Sequence, residues 1–143
     1  MTTTWQFWAV LSATFAALTA IFVKIGVSGL PSDYVVTLLR TCVVLAVLAL
    51  IVAATGQWQN PARVSWTTLG AIVLSGLATG ASWLCYFRAL KLGDASRVAP
   101  IDKLSVVLVA IFAAIFLGER LSAVNWAGVV LIAAGAVLVA VKV

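Results

Sequence analysis

The residues of this chain that are best suited to chemistry are ionisable side chains embedded in strongly apolar sequence. The densest group is the segment Pro100-Ile-Asp-Lys103, in which a proline precedes two adjacent opposite charges, Asp102 and Lys103. Proline lacks a backbone N–H and disturbs the preceding helical turn, which frees a carbonyl group. A free carbonyl, a carboxylate and an ammonium group could together bind a polar solute or carry a proton. We therefore predict a helix break at Pro100 and functional roles for Asp102 and Lys103.

The same segment allows a second interpretation, which is compatible with the first. Pro100 could lie near the first position of a helix, where the helix dipole would favour the carboxylate of Asp102. In either case, successive residues of a helix point about 100° apart. We therefore expect that Asp102 and Lys103 do not pair side by side and that at least one of them meets another helix.

Four more side chains are candidates for binding a solute or for coupling its movement: Lys24, Arg40, Trp83 and Tyr86. Arg40 and Lys24 either extend along their helices to a polar boundary or face a cavity. Trp83 lies deep in apolar sequence and needs a partner for its N–H group or a polar cavity to face. Trp83 and Tyr86 therefore either line a pocket or pack in the core.

No pattern of residues indicates catalysis, a metal site or a cofactor. The sequence has no His and no phosphate-binding glycine loop, and no two carboxylates fall in one predicted site. Cys42 and Cys85 lie inside apolar segments, where free cysteine behaves as a small hydrophobic residue. The net charge is +5, but the basic residues are spread among helix ends rather than clustered. This distribution does not favour nucleic acid as a partner. We expect no enzymatic activity and no cofactor.

The elements that must position these residues are membrane-spanning helices. The 143 residues are 64% hydrophobic and only 9% charged, whereas about a quarter of the residues of a soluble domain are charged. A helix needs about 20 apolar residues to cross a bilayer, and the first apolar segment lacks the basic start of a cleaved signal peptide. The sequence predicts an all-α integral membrane protein, a five-helix bundle in one domain over 1–143, with spans at 5–27, 33–54, 66–90, 98–117 and 123–141.

The distribution of Lys and Arg predicts the orientation of the chain in the membrane. The side opposite the N-terminus receives Lys24, Arg88, Lys91, Arg97 and Lys142, whereas the side of the N-terminus receives only Arg63 and Arg120. Because basic residues stay in the cytoplasm, we expect a multi-pass protein of the inner (cytoplasmic) membrane with a cytoplasmic C-terminus.

Small residues in the third span indicate close helix packing. Gly76 and Gly80 form a GxxxG pattern, which lets two backbones approach each other. The partner helix could belong to the same chain or to a second copy.

The stretch YFRALKLGDASRVAPIDKLSVVLVAIFAAIFLGERLS, residues 86–122, resembles the EamA domain of the drug/metabolite transporter superfamily. In that five-helix unit, a tyrosine and Ala-Leu end the third helix, a turn of small residues follows, a proline opens the fourth helix and Leu-Gly-Glu closes it. A lysine near the end of the first helix, then a proline and an arginine, are also typical. The matching residues here are Tyr86, 89–90, 95–96, Pro100 and 117–119, together with Lys24, Pro31 and Arg40.

The resemblance implies a secondary transporter of small metabolites, with a small-molecule substrate and no ATP site. Arg40 and Lys103 would attract an anionic or zwitterionic solute, Asp102 would titrate, and Trp83 and Tyr86 would shape the cavity. Typical members carry two such units as inverted repeats around a central cavity, so a chain with one unit is expected to form a homodimer. An antiparallel dimer would copy that geometry, although the charge bias favours one insertion direction.

Other functions are compatible with the same resemblance. Some short members of the superfamily flip lipids or lipid-linked sugars, which would make membrane lipids substrates as well as surroundings. A non-transporting accessory subunit is a further alternative. Cationic drug export, as in the small multidrug resistance relatives, is disfavoured because the first span carries no acidic residue.

Overall fold

The computed structural model describes residues 4–29, 32–60 and 64–141, and within them every regular element is an α-helix. The fold class predicted from the sequence is therefore confirmed. There are six helices in these ranges: α1 (Trp5–Gly29), α2 (Asp33–Thr55), α3 (Trp66–Leu92), α4 (Ala95–Asp102), α5 (Ser105–Phe116) and α6 (Ala123–Ala140).

Within the described residues, five segments are long and apolar enough to cross a membrane, because α4 and α5 together form one span, Ala95–Phe116. The predicted spans begin and end within about three residues of the observed helices. Trp58 follows α2 and Trp66 is the first residue of α3. Both side chains are exposed, as expected of indole rings at a membrane interface.

Two helices end at glycines in the left-handed conformation. Gly56 (φ 64°) follows α2, and Gly118 (φ 67°) follows α5. In each case the next N–H group donates to a carbonyl five or six residues back, Gln57 to Val52 and Glu119 to Ala113. These bonds satisfy carbonyls that a helix end leaves unpaired, and glycine adopts this conformation without steric cost.

The fourth predicted helix, 98–117, is divided in two. Pro100 lies inside α4, five residues after its start, and the chain leaves the α-helical pattern three residues later. The N–H of Lys103 donates to the carbonyls of Ala99 (3.2 Å) and Pro100 (3.1 Å), and that of Leu104 donates to Ile101 (3.0 Å). Bonds of this i→i−3 type mark a tighter turn, which separates α4 from α5.

The chain forms two compact units. Unit 1 comprises Met1–Phe22 and Leu92–Val143, and unit 2 comprises Val23–Lys91. The prediction of a single domain over 1–143 stays a prediction.

In unit 1, both halves of the fourth span pack against α6. Ala110 and Ala113 of α5 and Ala136 of α6 are buried, and such small side chains let membrane helices approach closely. Arg97 of α4 donates two hydrogen bonds to the carbonyl of Ala140, from Nε at 3.1 Å and from Nη2 at 2.7 Å. The guanidinium group therefore satisfies a carbonyl at the C-terminal end of α6.

In unit 2, the buried residues are concentrated at one end. The end of α1, the start of α2 and the end of α3 contribute them: Val23, Val27, Asp33, Thr37, Phe87 and Leu90. Towards the loop that joins α2 to α3, by contrast, most side chains of both helices are exposed. The packed end is also where the ionisable residues of unit 2 lie.

Candidate functional site

The packed end of unit 2 combines four cationic side chains with one carboxylate, a net charge of +3. They are Lys24, Arg40, Arg88, Lys91 and Asp33. Because three different helices supply them, their positions depend on the packing of α1, α2 and α3 in this unit. We refer to these five residues and to Trp83, Tyr86 and Phe87 as the cationic cluster.

Arg40 is held by an aromatic ring of the neighbouring helix. Its Cζ atom lies 3.9 Å from the centroid of the Trp83 ring and 5.6 Å from that of Phe87. The Nη1 atom is buried and has no hydrogen-bond partner among the residues that the structure describes. A cation over a desolvated aromatic face gains about 2 kcal/mol, but the ring does not replace a hydrogen-bond acceptor. Arg40 therefore carries an unpaired donor that is shielded from solvent beside an apolar surface.

Asp33 is bracketed by two cations of α3. Its Oδ2 atom accepts a hydrogen bond from Nη1 of Arg88 at 3.0 Å, and Nζ of Lys91 lies 2.9 Å from Oδ1. The residue is only 8% exposed. Since an isolated buried carboxylate would be costly, these two ion pairs account for the presence of Asp33 at the start of α2 and tie α2 to α3.

Lys24 contacts the last turns of α3, and Tyr86 lies in that part of the helix. Nζ of Lys24 donates to the carbonyl of Leu90 at 2.7 Å, which satisfies a carbonyl near the C-terminus of that helix and places a cation where the helix dipole favours it. Tyr86 is half-buried, and its ring lies 6.3 Å from the ring of Phe87 at 51°. The structure thus brings Lys24, Arg40, Trp83 and Tyr86 to one end of unit 2.

Asp102 and Lys103 belong to unit 1 and pair with each other. Nζ of Lys103 lies 3.4 Å from Oδ2 of Asp102, so the expectation that these neighbours do not pair side by side is wrong. The physical reason is that the long, flexible side chain of Lys103 bends back to the neighbouring carboxylate, although Lys103 keeps an αR backbone conformation at the end of α4. No other side-chain partner of either residue is found within the described ranges. Their predicted roles as site residues stay predictions.

The sequence profile of the EamA-like transporter family matches residues 3–141. The chain belongs to the EamA-like transporter family. A protein of Sinorhizobium sp that is named an uncharacterized transporter in the cobO 3' region is 64% identical over 141 residues, which cover 99% of each chain. No solved structure gives a significant match.

Family membership confirms the resemblance inferred from residues 86–122. It also agrees with the five apolar spans, so this EamA protein is a multi-pass membrane protein. The family and the name of the relative support a transporter role.

Sequence reasoning missed Asp33 as part of the cluster and treated Arg88 and Lys91 only as determinants of orientation. The order of the helices in the sequence does indicate that these residues lie together. Because α2 and α3 are consecutive antiparallel spans, the start of α2 and the end of α3 lie at the same membrane surface. The acidic first residue of α2 therefore lies level with the basic last turns of α3. The same comparison places Arg40, seven residues into α2, close to the level of Trp83, nine residues before the end of α3.

The arrangement in this EamA chain is suited to binding an anionic group. A guanidinium group with an unused donor can hold the carboxylate or phosphate of a solute, and the indole ring beneath it can pack against the apolar part of that solute. The ion pairs of Asp33 hold the two helices that carry these groups.

Proposed function

We propose that this EamA protein is a secondary transporter of small anionic or zwitterionic metabolites, in which Arg40 holds the negative charge of the substrate. The observation that carries the proposal is the Arg40 guanidinium group, which lies over Trp83 with a buried Nη1 atom and no acceptor for it among the described residues. A charged group within a membrane span is costly and usually marks a substrate or ion pathway. An incoming carboxylate would supply the missing acceptor.

We assign the coupling of transport to proton movement to the fourth span, which is broken between α4 and α5. Irregular backbone inside a transmembrane helix is typical of the ion and substrate sites of secondary transporters. Asp102 is the last residue of α4, and Lys103 lies in the turn that separates α4 from α5. We propose that Asp102 takes up and releases a proton during transport and that Lys103 attracts the anionic substrate.

The proposed transporter acts as a homodimer in the cytoplasmic membrane, with its C-terminus in the cytoplasm. The Sinorhizobium relative is matched over 99% of its own length, so the two chains have nearly the same extent. If two units enclose one cavity, two copies must come together. The excess of basic residues on one side supports the orientation.

The experiment combines ligand screening with transport. Purified protein is heated with a panel of short monocarboxylates, dicarboxylates and amino acids at constant ionic strength, and its unfolding temperature is recorded. A compound that raises this temperature is then tested as a radiolabelled solute for uptake into proteoliposomes. Arg40→Gln should abolish the stabilisation and lower uptake about ten-fold or more, the usual size of a lost charge-assisted hydrogen bond.

Arg120→Gln is the matched control, because it removes an exposed arginine from the connection between α5 and α6. It should leave ligand stabilisation and uptake unchanged. The proposal fails if no compound of the panel stabilises the wild type, or if Arg40→Gln binds and transports the active compound as the wild type does.

A second candidate function, lipid or lipid-linked sugar flipping, is favoured by an apolar groove along the other end of α2. Leu45, Leu48, Ala49, Val52 and Ala53 form one face of the helix, and Trp58 lines with them an open groove of about 510 Å³. A groove of this kind suits an acyl or isoprenoid chain. Translocation of fluorescent lipid in vesicles, lost in Ala49→Trp and unaffected by Arg40→Gln, would favour this function over solute transport.

A further inference from the structure

A second cavity in unit 2 lies between the start of α2 and the last turns of α3. Its volume is about 440 Å³, within the range of small ligand sites. The residues that line it are Asp33, Tyr34, Leu84, Cys85 and Arg88. Neither Arg40 nor Trp83 is among them, so this cavity is distinct from the proposed substrate site.

Arg88 provides the cavity with unused hydrogen-bond donors. A guanidinium group carries five N–H groups in a planar fork, and Arg88 uses one of them, from Nη1 to Asp33 at 3.0 Å, among the residues that the structure describes. Its side chain is 62% exposed. A phosphate group could therefore accept two hydrogen bonds from the remaining N–H groups without breaking the existing ion pair.

The carboxylate of Asp33 does not prevent an anion from binding. Lys91 lies 2.9 Å from Oδ1 of Asp33 and neutralises its charge, which leaves Arg88 as the surplus cation of the group. The cavity therefore carries a net charge of about +1 when Lys91 is counted with it.

The depth of the cavity matches that of a phospholipid headgroup. Tyr34 is the second residue of α2, and Arg88 lies four residues before the end of α3, about 6 Å along the helix. Both residues thus lie near the boundary between hydrocarbon and headgroups. The Tyr34 side chain is 73% exposed, as is typical of tyrosines in the interfacial belt. Leu84 lies one turn deeper in α3 than Arg88 and is apolar.

We propose that this cavity binds the phosphate of an anionic phospholipid headgroup, with Arg88 as its main ligand and the Tyr34 hydroxyl group as a second donor. Leu84 and Cys85 contact the glycerol backbone and the first methylene groups below it. The net positive charge selects an anionic headgroup over a zwitterionic one. This inference does not depend on the proposed transport activity.

The test measures lipid binding to purified, delipidated protein in detergent. Phosphatidylglycerol and phosphatidylcholine with identical acyl chains are added separately, and binding is followed by native mass spectrometry and by the unfolding temperature. The wild type should bind phosphatidylglycerol at least about ten-fold more tightly than phosphatidylcholine, and Arg88→Gln should remove this preference. Arg120→Gln, which removes an exposed arginine elsewhere, should retain it.

Further variants keep the test decisive. Arg88→Gln leaves the Lys91–Asp33 pair in place, so the packing of α2 on α3 should survive. Arg88→Lys retains the charge but not the fork and should bind with intermediate affinity. Tyr34→Phe removes only an exposed hydroxyl group and should weaken binding two- to ten-fold, roughly the effect of one hydrogen bond.

Soluble phosphate distinguishes the two possible sources of the ligand. Glycerol 1-phosphate and inorganic phosphate at millimolar concentration should not displace phosphatidylglycerol and should not raise the unfolding temperature. If they act as well as the lipid does, the cavity is a site for soluble anions and the lipid assignment is overturned. Equal binding of both phospholipids, or an unchanged preference in Arg88→Gln, would also overturn it.

Discussion

A charged side chain in the hydrocarbon of a membrane needs a partner, water or a route to the interface. Backbone carbonyls serve Lys24 and Arg97, which bind Leu90 and Ala140 at helix ends. Arg40 instead relies on the face of Trp83. Since a carbonyl is an acceptor and a ring face only a partial substitute, Arg40 gains more from an anionic ligand than Lys24 or Arg97 does.

The proposed role of Asp102 in proton coupling can be tested by substitution. Its side chain is half-buried and pairs with Lys103 at 3.4 Å, a distance too long for a strong ion pair. If this carboxylate carries the coupling proton, Asp102→Asn cannot release one. We expect uptake driven by a pH gradient to fall about ten-fold or more, while exchange of substrate across vesicles without a gradient persists.

Glu119→Gln is the matched control for Asp102→Asn, since Glu119 is an exposed carboxylate just after α5. It should leave both uptake and exchange unchanged. Uptake by Asp102→Asn that still responds to a pH gradient as the wild type does would remove Asp102 from the coupling mechanism.

At the scale of helices, the spans could be predicted from the sequence but the contacts between them could not. Span limits follow from the length that a bilayer requires and from charges and glycines at the boundaries, such as Gly56 and Gly118. Contacts depend on how each helix is rotated about its axis. Because α2 and α3 are apolar on nearly every face, hydrophobic periodicity does not fix this rotation.

The break in the fourth span could also be predicted from the sequence only in part. Pro100 predicts a disturbance of the helix, but the hydropathy of 98–117 suggests one uninterrupted element. The proline ring disturbs the turn before it, whereas the i→i−3 bonds form after it, at Lys103 and Leu104. The turn therefore lies at Lys103 and Leu104, after the proline that predicted it.

Phe87 provides the prediction at the scale of helices. It is 1% exposed at the packed end of unit 2 and lies beside Arg40 and Tyr86. In a membrane the unfolded helices stay in an apolar medium, so Phe87→Ala loses packing rather than transfer free energy. We expect a loss of about 2–3 kcal/mol, below the usual cost in a soluble core, measured by reversible unfolding in bicelles.

Phe15→Ala is the control for this measurement, because Phe15 of α1 is 61% exposed. Its removal should change the free energy of unfolding by less than about 0.5 kcal/mol. A loss at Phe15 equal to that at Phe87 would show that the packed end of unit 2 does not contribute specific stability.

At the scale of the whole molecule, the proposed homodimer must bring a second copy next to the substrate site. Gly76 and Gly80 lie on the face of α3 that continues through Trp83 to Phe87, with steps of three or four residues. A side chain placed at Gly76 or Gly80 would meet no described atom of unit 2 within 4 Å of its Cβ. This stripe of α3 is therefore open to another helix, and that helix would cover the same face as the Arg40 site.

Mutation of both glycines tests whether this stripe is the dimer contact. Gly76→Leu with Gly80→Leu should prevent close backbone approach and weaken dimerisation about ten-fold or more, as counted by single-molecule photobleaching of labelled protein in vesicles at several dilutions. Gly70→Leu is the control, since its Cβ also meets no described atom of unit 2 within 4 Å but points to a different face of α3. Two-step bleaching retained by the double variant would exclude this stripe as the dimer contact, and single-step bleaching of the wild type at every dilution would refute the homodimer itself. Loss of dimers only in the double variant, together with loss of uptake, would mean that the substrate site is complete only when a second copy covers α3.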